Sequence, residues 1–128
     1  MVTGAAGFIG SQLAAALLRL GHSVLAVDDF SFGRRDNLFF DDLGEIPCIE
    51  EDIRSPGFGR LLAGVDAVFH LAGLSSLPHC QENPATAFDV NVTGTINVLE
   101  ACRMEGVAKT IFASTSAVYE NNEQRPFD

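Results

Sequence analysis

The stretch "TGAAGFIGS" places Gly4, Gly7 and Gly10 at every third position near the start of the chain. Where a strand turns into a helix, free N–H groups and the helix dipole attract an anion such as pyrophosphate. Side chains would obstruct it. Gly4 lets the chain turn tightly off the strand, Gly7 lets the main chain approach the phosphates, and Gly10 lets the helix pack closely on the sheet. About 20 residues further on stands Asp28, placed to accept hydrogen bonds from the hydroxyls of an adenosine ribose. Turn and acid together point to a dinucleotide. A carboxylate beside the ribose would face a 2′-phosphate of like charge, so NAD is preferred over NADP. Arg34 and Arg35 in the next loop either pair with such a phosphate or face solvent.

These groups need elements to position them. Residues 1–3 read as the end of a strand, followed by a helix from Phe8 to Leu20 that Gly21 closes. "SVLAVDD", 23–29, is an apolar run of the kind buried on both faces of a parallel sheet, and a polar loop follows it. "EIPCIEED", 45–52, is a weaker third strand, "VDAVFHLAG", 65–73, a strong fourth, and a short helix lies between them. Asn83 and Pro84 form an N-cap and N1 pair for a long helix that ends at Glu105 and Gly106, and "KTIFAST", 109–115, is a fifth strand. Strands alternating with helices predict one α/β domain over 1–128, a Rossmann-like doubly wound parallel sheet that stops after about five strands.

Composition narrows the partners. A net charge of −9 argues against a nucleic-acid surface or an anionic membrane face. Cys48, Cys80 and Cys102 are odd in number and far apart, so neither a disulfide framework nor a metal site is expected, and a cytoplasmic setting fits. The apolar run through Leu18 is interrupted by Gly7, Gly10, Ser11 and Gln12, which suits neither a secretion signal nor a membrane span.

The spacing Gly4-x-x-Gly7-x-x-Gly10 resembles the extended short-chain dehydrogenase/reductases of the NAD-dependent epimerase/dehydratase family. "DDFSFGRRDNL", "EEDIR", "VFHLAGLSSLP", "NVTGTINVLEACR" and "STSAVYE" resemble that family's segments in the same order. The resemblance implies Phe8 and Ile9 near the pyrophosphate, and Asp28, Asp29, Ser31, Phe32 and Gly33 around the adenosine ribose. It places Asp52 and Ile53 at the adenine, and Leu71, Ala72, Gly73 and Ser75 along the cofactor at the fourth strand's exit. Asn91 reaches toward the same cleft. Ser76, Leu77 and Pro78 correspond to a substrate loop near the hexose, or to a plain turn. His70 and His79 read as strand-end core residues.

In this family a tyrosine of a Tyr-x-x-x-Lys pair removes a proton from a sugar hydroxyl while hydride passes to nicotinamide. A Ser or Thr hydroxyl assists, and alignment makes it Thr115, with Ser114 and Ser116 satisfying backbone groups. The family's dehydratases carry acids immediately after this hydroxyl; here Ser116 and Ala117 follow. Epimerisation of a nucleotide sugar, a UDP-hexose at C4 above all, therefore suits the residues better than dehydration. A 4,6-dehydratase and a non-catalytic NAD-binding sensor are the alternatives. The single tyrosine, Tyr119, has Glu123 four residues on, and the lysine, Lys109, precedes it. The expectation is an N-terminal part of such an enzyme that binds NAD weakly and does not turn over alone. The helix from Pro84 to Met104 would expose an apolar stripe and favour a homodimer or other self-association.

Overall fold

The structure, a computed structural model, describes residues 1–115. Strand β1 (Val2–Thr3) runs into helix α1 (Phe8–Arg19), and β2 (Ala26–Asp28) returns beside it. A hairpin of β3 (Phe39–Phe40) and β4 (Gly44–Glu45) precedes β5 (Cys48–Glu50). Beyond a 3₁₀ turn at Phe58–Leu62 come β6 (Ala67–His70) and the short helices α2 (Leu77–Glu82) and α3 (Pro84–Phe88). A π-helical turn at Asp89–Gly94 leads into α4 (Thr95–Glu105) and then β7 (Lys109–Phe112).

Five strands form one parallel sheet in the order β5-β2-β1-β6-β7. The chain winds outward from β1 through β2 to β5, then crosses back to β6 and β7, so the expected Rossmann-like topology is present. Its direction reverses between β1 and β6, where open α/β sheets take their ligands. The register sets Thr3 beside Val27 and His70, Asp28 beside Glu50, and His70 beside Phe112. The carboxyl ends of all five strands therefore share one edge.

Strand side chains alternate between the faces. Met1, Val27 and Val68 join Ile53, Phe58, Leu62, Val98, Ala101 and Cys102 on one side. Val2 and Ala26 join Ala5, Ala6, Ala14, Ala15, Leu38 and Ile46 on the other. With both faces of β1 and β2 covered, these central strands must read as apolar runs. Helix α1 buries only Gly10, Ser11, Ala14 and Ala15, residues small enough to bring its axis close to the sheet. No described helix is long and apolar enough to cross a membrane.

Four local features differ from the sequence reading. The polar loop after β2 contains the β3–β4 hairpin, braced by Arg19, which donates from Nε to Asp42 Oδ2 at 2.7 Å and lies over the Phe40 ring at 5.3 Å. Glu45 belongs to that hairpin, so the third strand is only Cys48–Glu50. Leu77 and Pro78 open α2, with Ser76 as its N-cap, and are not a plain turn. The long helix is interrupted at its π-helical turn, where the Thr95 hydroxyl donates to Asn91 O at 2.7 Å and Gly94 packs on Ile53. The apolar stripe is open at Phe88, Val92 and Leu99, joined by Ile96, whereas Cys102 is buried.

Candidate functional site

The glycine turn forms as its spacing implies. Gly4 has φ +68°, and a Cβ there would lie 2.7 Å from Ala72 N, so the turn presses directly on the main chain leaving β6. Gly7 is the helix N-cap, extended and without a side-chain cap. The first helical bond runs from Ser11 N–H to Gly7 O at 3.1 Å. The N–H groups of Phe8, Ile9 and Gly10 therefore have no acceptor within the helix and can take an anion. The Phe8 and Ile9 side chains stand exposed beside them.

Asp28 is buried and ties β2 to this turn: Oδ2 accepts from Ala6 N–H at 2.9 Å and Oδ1 from Phe30 N–H at 2.8 Å. Each oxygen keeps a lone pair for a further donor. Asp29 Oδ1 accepts from the Ser31 N–H and hydroxyl at 2.9 and 2.6 Å, folding the loop back. Gly33 fits tightly against Asp28 and Ala6. Exposed Phe32 meets the His79 ring edge-on at 5.1 Å, so the loop after β2 touches α2; His79 is thus not a core residue. Both loop arginines have carboxylate partners, Arg34 with Asp36 and Arg35 with Glu50. Sequence reasoning missed Asn37, whose Nδ2 donates to Ala6 O at 2.8 Å. The signal was an amide placed just before the buried Leu38.

At the far edge, Arg54 grips Asp52 and also reaches Asp89 Oδ2 at 2.8 Å, joining the β5 exit to the π-helical turn. The guanidinium holds the Asp52 carboxyl below the usual range. The Ile53 side chain lies in the core and its carbonyl accepts from Asn97 Nδ2 at 2.5 Å. Only the remaining main chain of Ile53 is left to face a base.

At the β6 exit, Thr3 Oγ1 accepts from the N–H groups of Leu71 and Ala72 at 3.2 and 3.3 Å and lies 2.8 Å from His70 Nδ1. His70 Nε2 lies 3.0 Å from Thr95 Oγ1. Asn91 uses its whole amide on Leu74: Oδ1 accepts from its N–H at 2.7 Å and Nδ2 donates to its carbonyl at 2.9 Å. Asn91 thus holds the 71–75 segment, and Gly73 sits where a Cβ would come 3.0 Å from Asn91 Oδ1. Leu71 and Ala72 are half-buried and Gly73 and Ser75 exposed. Ala113 N–H donates to His70 O at 3.2 Å, which anchors the chain two residues before exposed Thr115. Ser116 and Tyr119 lie outside the described residues.

Burial holds the His70 imidazole below its ordinary pKa. Its ring meets Thr3, Thr95 and the Phe112 ring, none of them charged. Below about pH 6.5 the unfolded chain takes up a proton that the fold resists. The His70 contribution is therefore complete above that pH and is lost as pH falls toward the lowered folded value. The unfolding free energy from urea titrations is expected to drop from pH 7.5 to 5.5, by at most about 1.4 kcal/mol per pH unit for this proton. A His70 ring resonance titrating at or above the ordinary value would contradict this.

The expected site residues thus gather along one edge, Ile53 by its main chain alone and Asn91 through Leu74. Over residues 1–128 the chain matches the NAD dependent epimerase/dehydratase family. It is 37% identical to a UDP-glucose 4-epimerase of Mycolicibacterium smegmatis, covering 98% of this chain and 44% of that one. With UDP-glucuronic acid decarboxylase 4 of Arabidopsis thaliana it shares 36% identity over 98% of this chain and 28% of the relative. A solved UDP-glucose-4-epimerase from Stenotrophomonas maltophila, with bound NAD and formylated UDP-arabinopyranose, superposes at a TM-score of 0.89 with 32% identity, covering 98% of this chain and 39% of that one. The chain spans less than half the length of each of these three proteins. The glycine turn, the acid that ends β2 and the parallel sheet agree with a match that runs the full length of the sequence, and the chain belongs to the NAD-dependent epimerase/dehydratase family.

Proposed function

We propose that the chain is the NAD-binding part of a nucleotide-sugar epimerase, with a UDP-hexose as substrate and C4 as the reacting carbon. The carrying observation is the order of groups along the sheet edge. Asp52 follows β5, Asp28 and Asp29 end and follow β2, the glycine turn follows β1, residues 71–75 follow β6, and Thr115 lies beyond β7. That sequence of groups suits adenine, ribose, pyrophosphate, nicotinamide and sugar laid in line.

Bound NAD supplies the group that accepts hydride and returns it. The chain's own residues bind and orient. N–H groups at the start of α1 receive the phosphates, the remaining lone pairs of Asp28 take ribose hydroxyls, and the 71–75 main chain, fixed by Thr3 and Asn91, forms a wall. The Thr115 hydroxyl is suited to hold a sugar oxygen by a hydrogen bond. Ser116 and Ala117 place no carboxylate beside it, which favours epimerisation over a dehydratase or decarboxylase reading. Tyr119 has Glu123, not a lysine, four residues on, so these 128 residues bind NAD without completing turnover.

Calorimetric titration with NAD and chromatography after incubation with UDP-glucose and UDP-galactose test both halves. Saturable heat and no epimer are expected. Absence of heat at millimolar NAD refutes the binding reading, and C4 epimer product refutes the inactivity.

A further inference from the structure

His70 is almost wholly buried at the point where the sheet order reverses. The valences around it determine where its proton sits. Thr3 Oγ1 accepts from the Ala72 N–H and shares the Leu71 N–H with the Thr3 carbonyl, each at 3.2 Å from that nitrogen. These donors favour directing the single hydroxyl hydrogen of Thr3 to His70 Nδ1, 2.8 Å away, with that nitrogen unprotonated. On the other side, Thr95 Oγ1 lies 2.7 Å from Asn91 O, a carbonyl that can only accept. Thr95 donates its hydrogen there, so its oxygen is open to a donor, and His70 Nε2 at 3.0 Å is that donor. The Thr95 end requires this neutral tautomer, and the donors on Thr3 agree with it.

The resulting chain of bonds points one way: Thr3 O–H to His70 Nδ1, His70 Nε2–H to Thr95 Oγ1, Thr95 O–H to Asn91 O. Asn91 then grips both polar main-chain groups of Leu74, whose carbonyl also accepts from the Cys80 thiol at 3.5 Å. Thr3 adjoins Gly4 at the head of the glycine turn, while Leu74 lies in the wall across the switch point. We infer that His70, as the Nε2–H tautomer, is a positioning residue that couples the phosphate turn to the 71–75 wall. Its consequence for the cofactor rests on the NAD-site reading above.

Nitrogen-15 histidine labelling and long-range proton–nitrogen NMR at neutral pH read the tautomer directly, and a proton on Nε2 with Nδ1 bare is expected. Thr95→Val keeps the side-chain shape and removes the acceptor. Leu74 amide exchange in it should quicken roughly tenfold, and the NAD Kd should rise roughly fivefold. Thr95→Ser restores the hydroxyl and should keep Leu74 protection within about twofold of wild type. A proton on Nδ1, or Leu74 protection unchanged in Thr95→Val, overturns the coupling. If the tautomer and Leu74 behave as stated but the wild-type chain ignores NAD, the coupling stands and the cofactor reading falls.

Discussion

Gly10→Ala is expected to leave much of the chain unfolded, whereas Gly7→Ala is expected to leave it folded and weakened for NAD. A Cβ at Gly10 would lie 2.0 Å from Gly4 O and 2.8 Å from Gly4 C, main-chain atoms that cannot rotate aside. The only relief is to lift α1, which separates Ala14 and Ala15 from Val2 and Ala26 in their shared cluster. Overpacking on this scale costs about 3 kcal/mol or more, a large share of the ~5–15 kcal/mol that holds a typical domain together. Gly7 is different. Its φ of −74° and ψ of 172° suit any residue, and its Cβ would meet only Gly4 O, at 3.2 Å. An alanine N-cap there costs about 1 kcal/mol. The methyl would instead stand at the helix mouth, where main chain must come close to phosphate, and NAD affinity should fall at least about tenfold. Urea unfolding of both variants and NAD calorimetry on Gly7→Ala check this. A Gly7→Ala chain that binds NAD like wild type would move the phosphates away from this turn.

The glycine turn was legible in the sequence because its geometry is local: a turn, a helix start and a spacing all fall within one short segment. The sheet was legible for a similar reason, since strands covered on both faces leave continuous apolar runs. Other parts depend on residues brought together only by the fold. Thr3 and His70 are 67 positions apart and His70 and Thr95 are 25 apart, and each alone looks like an ordinary buried polar residue. Asn91 is an amide in an apolar helix and so needs partners, but nothing local says that the partner is Leu74. Likeness between segments gave Ile53 a place in the chain, while the direction of its side chain, into the core, came only from the fold. The hairpin was invisible because two-residue strands are too short to show a period.

Asp28→Ala should be the most damaging change among the residues proposed to meet the ribose, because that carboxylate holds the turn and, in the proposed reading, a ligand as well. Removing it strands the N–H groups of Ala6 and Phe30, the first in the glycine turn. Phe30 also sits at φ +56°, a left-handed conformation for a non-glycine residue that its bond to Asp28 helps to hold. A buried and a half-buried donor left without partners cost about 2–4 kcal/mol together. Asp28→Asn separates the roles better, since it keeps the size and one accepting oxygen while turning a donor toward a donor. That variant should be less stable by about 1–2 kcal/mol. Among molecules that remain folded, NAD affinity should fall about tenfold or more, because the uncharged amide is a weaker acceptor for ribose hydroxyls. The preference for NAD over NADP should shrink at the same time, because a charge that repels a 2′-phosphate has gone while Arg34 and Arg35 remain. Calorimetry with both dinucleotides below the unfolding transition measures the two effects separately. If folded Asp28→Asn holds NAD as tightly as wild type, with discrimination against NADP intact, this carboxylate braces the turn and does nothing for the ribose.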